Sequence, residues 1–180
     1  METMPHAEQR INLSQWCGAV FSNDRIYRYA LWRAWSNQPQ RVMNVLMLNP
    51  STADETKNDP TVERCQVRAV QLGFQALIVT NLYALRSTDP KGLRDVPDPV
   101  GGQATDRYIL EASLLSETVL CAWGNHTDPT RASFVLKLIT EHQPSQTNKL
   151  MCLAKNFTGQ PAHPLYFPYA APLKPFTRSI

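Results

Sequence analysis

The run Val42-Met43-Asn44-Val45-Leu46-Met47-Leu48 constrains this chain more than any other stretch. It is far shorter than the ~20 apolar residues that cross a membrane. It also lacks the apolar–polar alternation of a strand with one face in water. A short apolar run closed by turn residues, here Asn49-Pro50-Ser51-Thr52, is the pattern of a strand buried on both faces. Three further runs share that character: Ala76-Leu77-Ile78-Val79-Thr80, Thr118-Val119-Leu120-Cys121-Ala122-Trp123 and Lys149-Leu150-Met151-Cys152-Leu153. A helical stretch separates each from the next. Residues 60–72 carry Val62, Cys65, Ala69 and Leu72 at helical spacing, with Thr61 as the expected cap and Gly73 as the stop. Residues 105–115 and 130–141 are the second and third helices. Strands alternating with helices imply right-handed crossovers, a central four-stranded parallel sheet and helices on both its faces. The expected fold class is therefore α/β, a three-layer α/β/α arrangement.

Ahead of these units, Cys17-Gly18-Ala19-Val20-Phe21 and Ile26-Tyr27-Arg28-Tyr29-Ala30-Leu31-Trp32 flank the turn signal Ser22-Asn23-Asp24. They read as an N-terminal β-hairpin. Tyr27, Tyr29, Trp32 and Trp35 are expected to pack it. The length of 180 residues suits one domain. Residues 1–16 form a tail in this reading, and residues 17–180 form the domain.

Charged residues make up 18% of the chain and the formal net charge is +3. That balance permits nucleic-acid binding without arguing for it, because a dedicated binder carries a denser basic stripe. Cys17, Cys65, Cys121 and Cys152 form no Cys-x-x-Cys pair and are read as reduced thiols. The segment Met1 to Arg10 is polar and has no signal-peptide core. These features predict a cytoplasmic protein with no membrane partner. No metal or other cofactor is expected, and the oligomeric state is left open. A phosphoryl-transfer enzyme is disfavoured, since there is no Gly-rich loop ending in Lys-Ser or Lys-Thr.

In an open parallel sheet, ligands sit outside the carboxyl ends of the strands. The unusual residues of this chain gather at those ends. Strand one runs into Asn49-Pro50-Ser51-Thr52-Ala53-Asp54, strand two into Asn81-Leu82-Tyr83, and strand three into Trp123-Gly124-Asn125-His126. After strand four comes Gly159-Gln160-Pro161-Ala162-His163-Pro164-Leu165-Tyr166. Together they predict a polar, mostly uncharged pocket with Trp123 and Tyr83 as flat walls, a mixture that suits a nucleobase. The backbone N–H groups of Ser51 to Asp54 are a candidate anion nest. Asp54 and Asp59 are assigned either to ligand contact or to framing the loop and capping the following helix. Arg28, Arg33 and Arg131 are candidate anion contacts, with a solvated arginine as the ordinary outcome.

Several of these motifs resemble the DUF1643 family: Arg28-Tyr29-Ala30-Leu31-Trp32-Arg33, Leu46-Met47-Leu48-Asn49-Pro50-Ser51-Thr52-Ala53-Asp54, Asp59-Pro60-Thr61, Asn81-Leu82-Tyr83, Ala122-Trp123-Gly124 and His163-Pro164-Leu165-Tyr166. The layout is also distantly similar to the uracil-DNA glycosylase superfamily, in which a Gly-x-(Asp/Asn)-Pro-Gly loop ends a strand. Here Met47-Leu48-Asn49-Pro50-Ser51 is similar, with Leu48 and Ser51 in place of the glycines. That resemblance implies a uracil-DNA-glycosylase-like fold in which Asn49 holds the attacking water. It further implies that Asn81 pairs with the base and that His163 donates to the base oxygen.

Two functions follow as expectations. One is a nucleobase-recognising N-glycosidase-like hydrolase acting on DNA, a nucleotide or a nucleoside. Asn49 and His163 would be catalytic, with Pro50, Ser51, Thr52, Asp54, Asp59, Asn81, Tyr83, Trp123 and Arg131 binding substrate. The other is a non-catalytic module that binds a modified base or a nucleotide. Both expect Asn49, Asn81 and His163 to face one cavity.

Overall fold

The buried runs become neighbouring strands because their polar backbone can be satisfied only by one another. A computed structural model describes residues 9–142 and 149–177. Its strands are β1 (Cys17–Phe21), β2 (Arg28–Ala34), β3 (Val42–Met47), β4 (Ala76–Asn81), β5 (Thr118–Cys121), β6 (Leu150–Cys152) and β7 (Lys174–Pro175). Its helices are α1 (Pro60–Gln71), α2 (Gln103–Leu115) and α3 (Pro129–His142). All seven strands join one sheet in the order β1-β2-β4-β3-β5-β6-β7.

The four expected strands lie side by side and parallel, as β4-β3-β5-β6. They are the middle of a mixed sheet rather than the whole of a parallel one. The hairpin is not an appendage: β2 pairs antiparallel with β4, placing Leu31 opposite Val79, and β1 extends that edge. On the other edge β7 pairs antiparallel with β6. Its two residues are exposed and one is proline, so no apolar run announced it.

Both faces of the sheet are covered. Met43, Val45, Met47, Leu77 and Val79 pack against Val62, Cys65 and Ala69 of α1. Leu46, Val119, Cys121 and Leu150 pack against Ile109 of α2 and Val135 and Ile139 of α3 on the opposite face. Each such fully buried aliphatic side chain contributes about 1.5–3 kcal/mol. The buried Asn44 is satisfied within the sheet, donating to Ile78 O at 3.2 Å and Thr80 Oγ1 at 3.0 Å. Residues 1–8 and 178–180 of the expected tail and domain lie outside the described residues. Further along the segment before β1, Ile11 is buried near α2, its N–H bonded to Glu111 Oε1.

Two features of this fold position the site. First, α1 follows β3 on one face while α3 follows β5 on the other, so the carboxyl ends of these neighbouring strands diverge. Such a divergence opens a crevice at a switch point. Second, the β1–β2 ladder is irregular: Val20 faces Ala30 but Phe21 faces Arg28, leaving Tyr29 as the extra residue. Unbroken alternation from Ala30 and Trp32 would send Arg28 toward α2. The bulge instead gives it the face of Phe21, which belongs to the α1-side core. Re-aiming a side chain is a recurrent use of a β-bulge.

Candidate functional site

A cleft of about 570 Å³ opens where β3 and β5 part. That volume lies in the range of small-molecule sites, about 300–1,000 Å³. Its walls come from the loops after β3, β4, β5 and β6, and from the N-terminal end of α1.

The loop after β3 is held from below by Arg33, whose guanidinium reaches the carbonyls of Asp54, Glu55 and Lys57 and Asn58 Oδ1. Asn49 ties this loop to the one after β4. Its Nδ2 donates to Pro50 O at 3.0 Å and to Ser87 O at 2.8 Å. Both amide protons are thereby used, and Oδ1 faces no donor among the described residues. Asp59 caps α1, its Oδ1 accepting from Thr61 N at 3.0 Å and Val62 N at 2.9 Å. The cap is therefore Asp59, not Thr61, because Pro60 occupies the first turn and the carboxylate reaches two amides beyond it.

The late loop is clamped onto α1. Arg64 and Arg68 both donate to Phe167 O, and Arg68 also to Tyr169 O. This brings His163, Tyr166 and Phe167 to the mouth of the cleft. His163 Nδ1 accepts from Leu165 N at 3.4 Å. That acceptor role places the imidazole proton on Nε2. Burial lowers the His163 pKa below its ordinary 6.5, opposed by Asp59, so the ring is neutral at pH 7. On the β5 side, Gly124 turns the chain out of the sheet at φ +72°, a conformation that strains an L side chain. Beyond it, Asn125 Oδ1 accepts from Asn156 Nδ2 at 3.0 Å and from Thr158 Oγ1 at 2.7 Å.

The sequence-derived site is assembled only in part. Asn49, Ser51, Asp59, Trp123 and His163 line the cleft. Trp123 is a buried floor, its Nε1 fixed by Gln160 Oε1 at 2.7 Å. The others have different places. Asn81 does not line the cleft, so the expectation that Asn49, Asn81 and His163 face one cavity is not met; as the last paired residue of β4 it stays inside the sheet layer, opposite Met47. There its Oδ1 accepts from Arg28 Nη2 at 3.4 Å. Tyr83 lies against a smaller neighbouring hollow and accepts from Asp128 N through its hydroxyl. Arg131 ties α3 back to Leu82 O and pairs with Asp106 at 2.7 Å. Pro50 is buried and lends its carbonyl to Ser87 N, while Thr52 is exposed outside the cleft. Asp54 frames its own loop by accepting from Thr56 N and Lys57 N, hydrogen bonds that hold its carboxyl below the usual range. The anion nest is closed in part: Asp54 N donates to Lys57 O, and Ala53 N to Asp59 Oδ2.

None of the three named arginines is solvated. Arg28 and Arg33 are 1% and 5% exposed, and Arg131 is engaged as above. Arg28 lines the cleft, together with Thr61, expected only as a helix cap, and with Ser87, Thr88 and Asn156, which the sequence did not single out. Small polar residues in loops carry no periodic signal; the bulge at Tyr29 was equally invisible.

The DUF1643 model, described as a protein of unknown function, matches residues 28–165. This chain belongs to the DUF1643 family. No curated protein and no solved structure matches it. The DUF1643 match begins at Arg28 and ends two residues past His163, so it spans most of the cleft lining while leaving out β1 and β7. Among the described residues, no three His, Cys, Asp or Glu side chains of this DUF1643 member gather as a metal would require. No helix among those residues is long and apolar enough to cross a membrane.

Proposed function

We propose that the cleft belongs to a nucleobase-recognising N-glycosidase-like hydrolase acting on DNA, a nucleotide or a nucleoside. The observation that carries this reading is that Asn49 and His163 line one cleft, each with the complementary atom left over. Asn49 Oδ1 accepts from a water and holds its oxygen toward the sugar carbon. His163 Nε2–H donates to the departing base and stabilises the negative charge that grows there as the bond breaks. The C–N bond cleaves with its electron pair going to the base. Water supplies oxygen to the sugar carbon, and its proton ends on the released base. Asn125 and Asn156, which line the same cleft, take the edge-reading role expected of Asn81: one keeps an amide donor and the other a carbonyl acceptor. The resemblance of Leu48-Asn49-Pro50 and His163-Pro164 to the uracil-DNA glycosylase superfamily supports the same roles. Four free thiols, three of them buried, accord with a reducing, cytoplasmic setting.

The test is chromatographic detection of free base from uracil-bearing, deaminated and hypermodified substrates, each supplied as DNA, nucleotide and nucleoside. The wild type should release base, and His163→Gln should do so on the order of 100-fold more slowly. No release from any substrate overturns the hydrolase.

One observation favours the second reading, a binding module. Asp59 is the only carboxylate among the described residues lining the cleft, and backbone N–H groups of Ala53, Thr61 and Val62 already occupy it. No free carboxylate among the described residues of the lining remains to activate water as a general base. Ligand-induced thermal stabilisation without turnover is the outcome that selects this reading.

A further inference from the structure

Arg28 is 1% exposed, yet it lines the cleft. A guanidinium has five N–H donors. Among the described residues only two find acceptors: Nη1 donates to Ala53 O at 3.0 Å and Nη2 to Asn81 Oδ1 at 3.4 Å. Arg28 Nε is buried with no partner, and so is Asn81 Nδ2. Turning the Asn81 amide around would not help, because its NH2 would then face the guanidinium. The charge is not cancelled by an ion pair either. Asp59 attracts it from beyond salt-bridge distance, while Arg33 and Arg86 repel it. Burial pushes the group down to about 10, which still leaves it protonated at neutral pH.

The orphaned atoms, Nε of Arg28, whose side chain lines the cleft, and Nδ2 of Asn81, which lies behind it, are both donors. Their complement is an acceptor-only group, and a planar guanidinium matches phosphate or carboxylate oxygens best. The bulge at Tyr29 is an independent observation, since it is what turns Arg28 from the α2 face to the α1 face and the cleft. The position also limits how an anion reaches it. A phosphodiester inside a strand needs room for chain on both sides. A group this deeply buried, approached from the cleft alone, can be met only by a terminus.

We propose that Arg28, held by Asn81, seats a terminal phosphate, and that the ligand of the cleft is a mononucleotide rather than a base within a nucleic-acid strand. This rests on the nucleobase reading above and narrows its substrate class.

Calorimetric titration of the full chain tests it. The probes are nucleosides, their 5′-monophosphates, ribose 5-phosphate, inorganic phosphate and a single-stranded oligonucleotide carrying the same base. The proteins are wild type, Arg28→Lys and Arg28→Met, with thermal unfolding to establish that each variant folds. The monophosphate should bind on the order of tenfold or more tightly than its nucleoside. Arg28→Met should erase that gap while keeping nucleoside binding, and Arg28→Lys should keep part of it. Equal binding of nucleoside and monophosphate by the wild type overturns the phosphate seat and leaves the nucleobase reading standing. A gap that survives in Arg28→Met does the same. Arg28-dependent binding of inorganic phosphate or ribose 5-phosphate with no gain from a base supports the anion seat and overturns the nucleobase reading. Tighter binding of the oligonucleotide than of the monophosphate overturns the terminal placement. Binding of none of the probes overturns the proposal.

Discussion

Two arginines stand near opposite ends of β2, both buried, and their surroundings differ completely. Arg33 has an acceptor for each of its five N–H donors: Nε reaches Asn58 Oδ1, Nη1 reaches Trp32 O and Glu55 O, and Nη2 reaches Asp54 O and Lys57 O. Arg28 has two acceptors, one of them at 3.4 Å. A buried charge with incomplete partners carries an effective penalty of several kcal/mol. Arg33 offsets that penalty by organising the loop after β3. Arg28 is left with donors to spare, on the face where the cleft lies. Burial and unmatched donors alone do not separate a structural arginine from a functional one, since Arg68, 0% exposed with an unpartnered Nε, only clamps the late loop; what sets Arg28 apart is that its unmatched side chain lines the cleft.

The sharpest way to break this contrast is to remove each guanidinium. Arg33→Met should destabilise the protein by about 3 kcal/mol or more, because four loop acceptors and Trp32 O lose a charged donor. Arg28→Met should cost no more than about 1 kcal/mol, since deleting an under-matched buried charge offsets the two lost bonds. Urea denaturation of the pair decides it, and equal losses would end the distinction. Next in size is Asp59→Ala, which removes the cap of α1 and the acid that attracts Arg28. A loss of about 1–2 kcal/mol is expected from the cap alone, and a loss well beyond that would mean Asp59 compensates Arg28 more than its distance implies. Asn49→Ala should lower stability by only about 1 kcal/mol, by freeing the tie to Ser87. Its effect on ligand binding should be much the larger, and the reverse order would make Asn49 a loop fastener only.

The smallest effect is in the pH dependence of His163. Burial, opposed by Asp59, sets its folded pKa below the unfolded value. The neutral ring's stability contribution is therefore complete above about 6.5 and is lost as pH falls through the lowered folded value. Below pH 6.5 the melting temperature of the wild type should fall more steeply than that of His163→Gln. Parallel curves would place the ring in solvent.

Much of the sheet was legible because burial on two faces leaves few places for polar residues. Val42–Met47 and Ala76–Asn81 are strands within a residue of where their apolar runs begin and end. The loop at Asn49 and the late His163 were legible for a related reason: polar residues at strand ends have nowhere else to project. Tyr83 and Arg131 were misplaced because spacing says nothing about direction once the chain leaves the strand. Tyr83 N bonds to Leu48 O, and its ring turns toward Asp128 rather than the cleft.

By itself, then, the sequence determined the alternation of strands and helices, the two-sided burial of the central strands and the strand-end loops that carry polar side chains. Those follow from local spacing and from the hydrophobic effect, which act on each segment separately. The tertiary structure alone decided that the hairpin joins the sheet through β2 and β4. It alone decided that Asn81 stays behind the cleft while Asn156 joins the expected Asn125 in lining it. The fate of the arginines was also a tertiary matter. Whether a guanidinium is matched depends on carbonyls and amides brought from distant parts of the chain: Asp54 and Lys57 for Arg33, Ala53 and Asn81 for Arg28. One extra residue in a ladder, Tyr29, set which face Arg28 would meet.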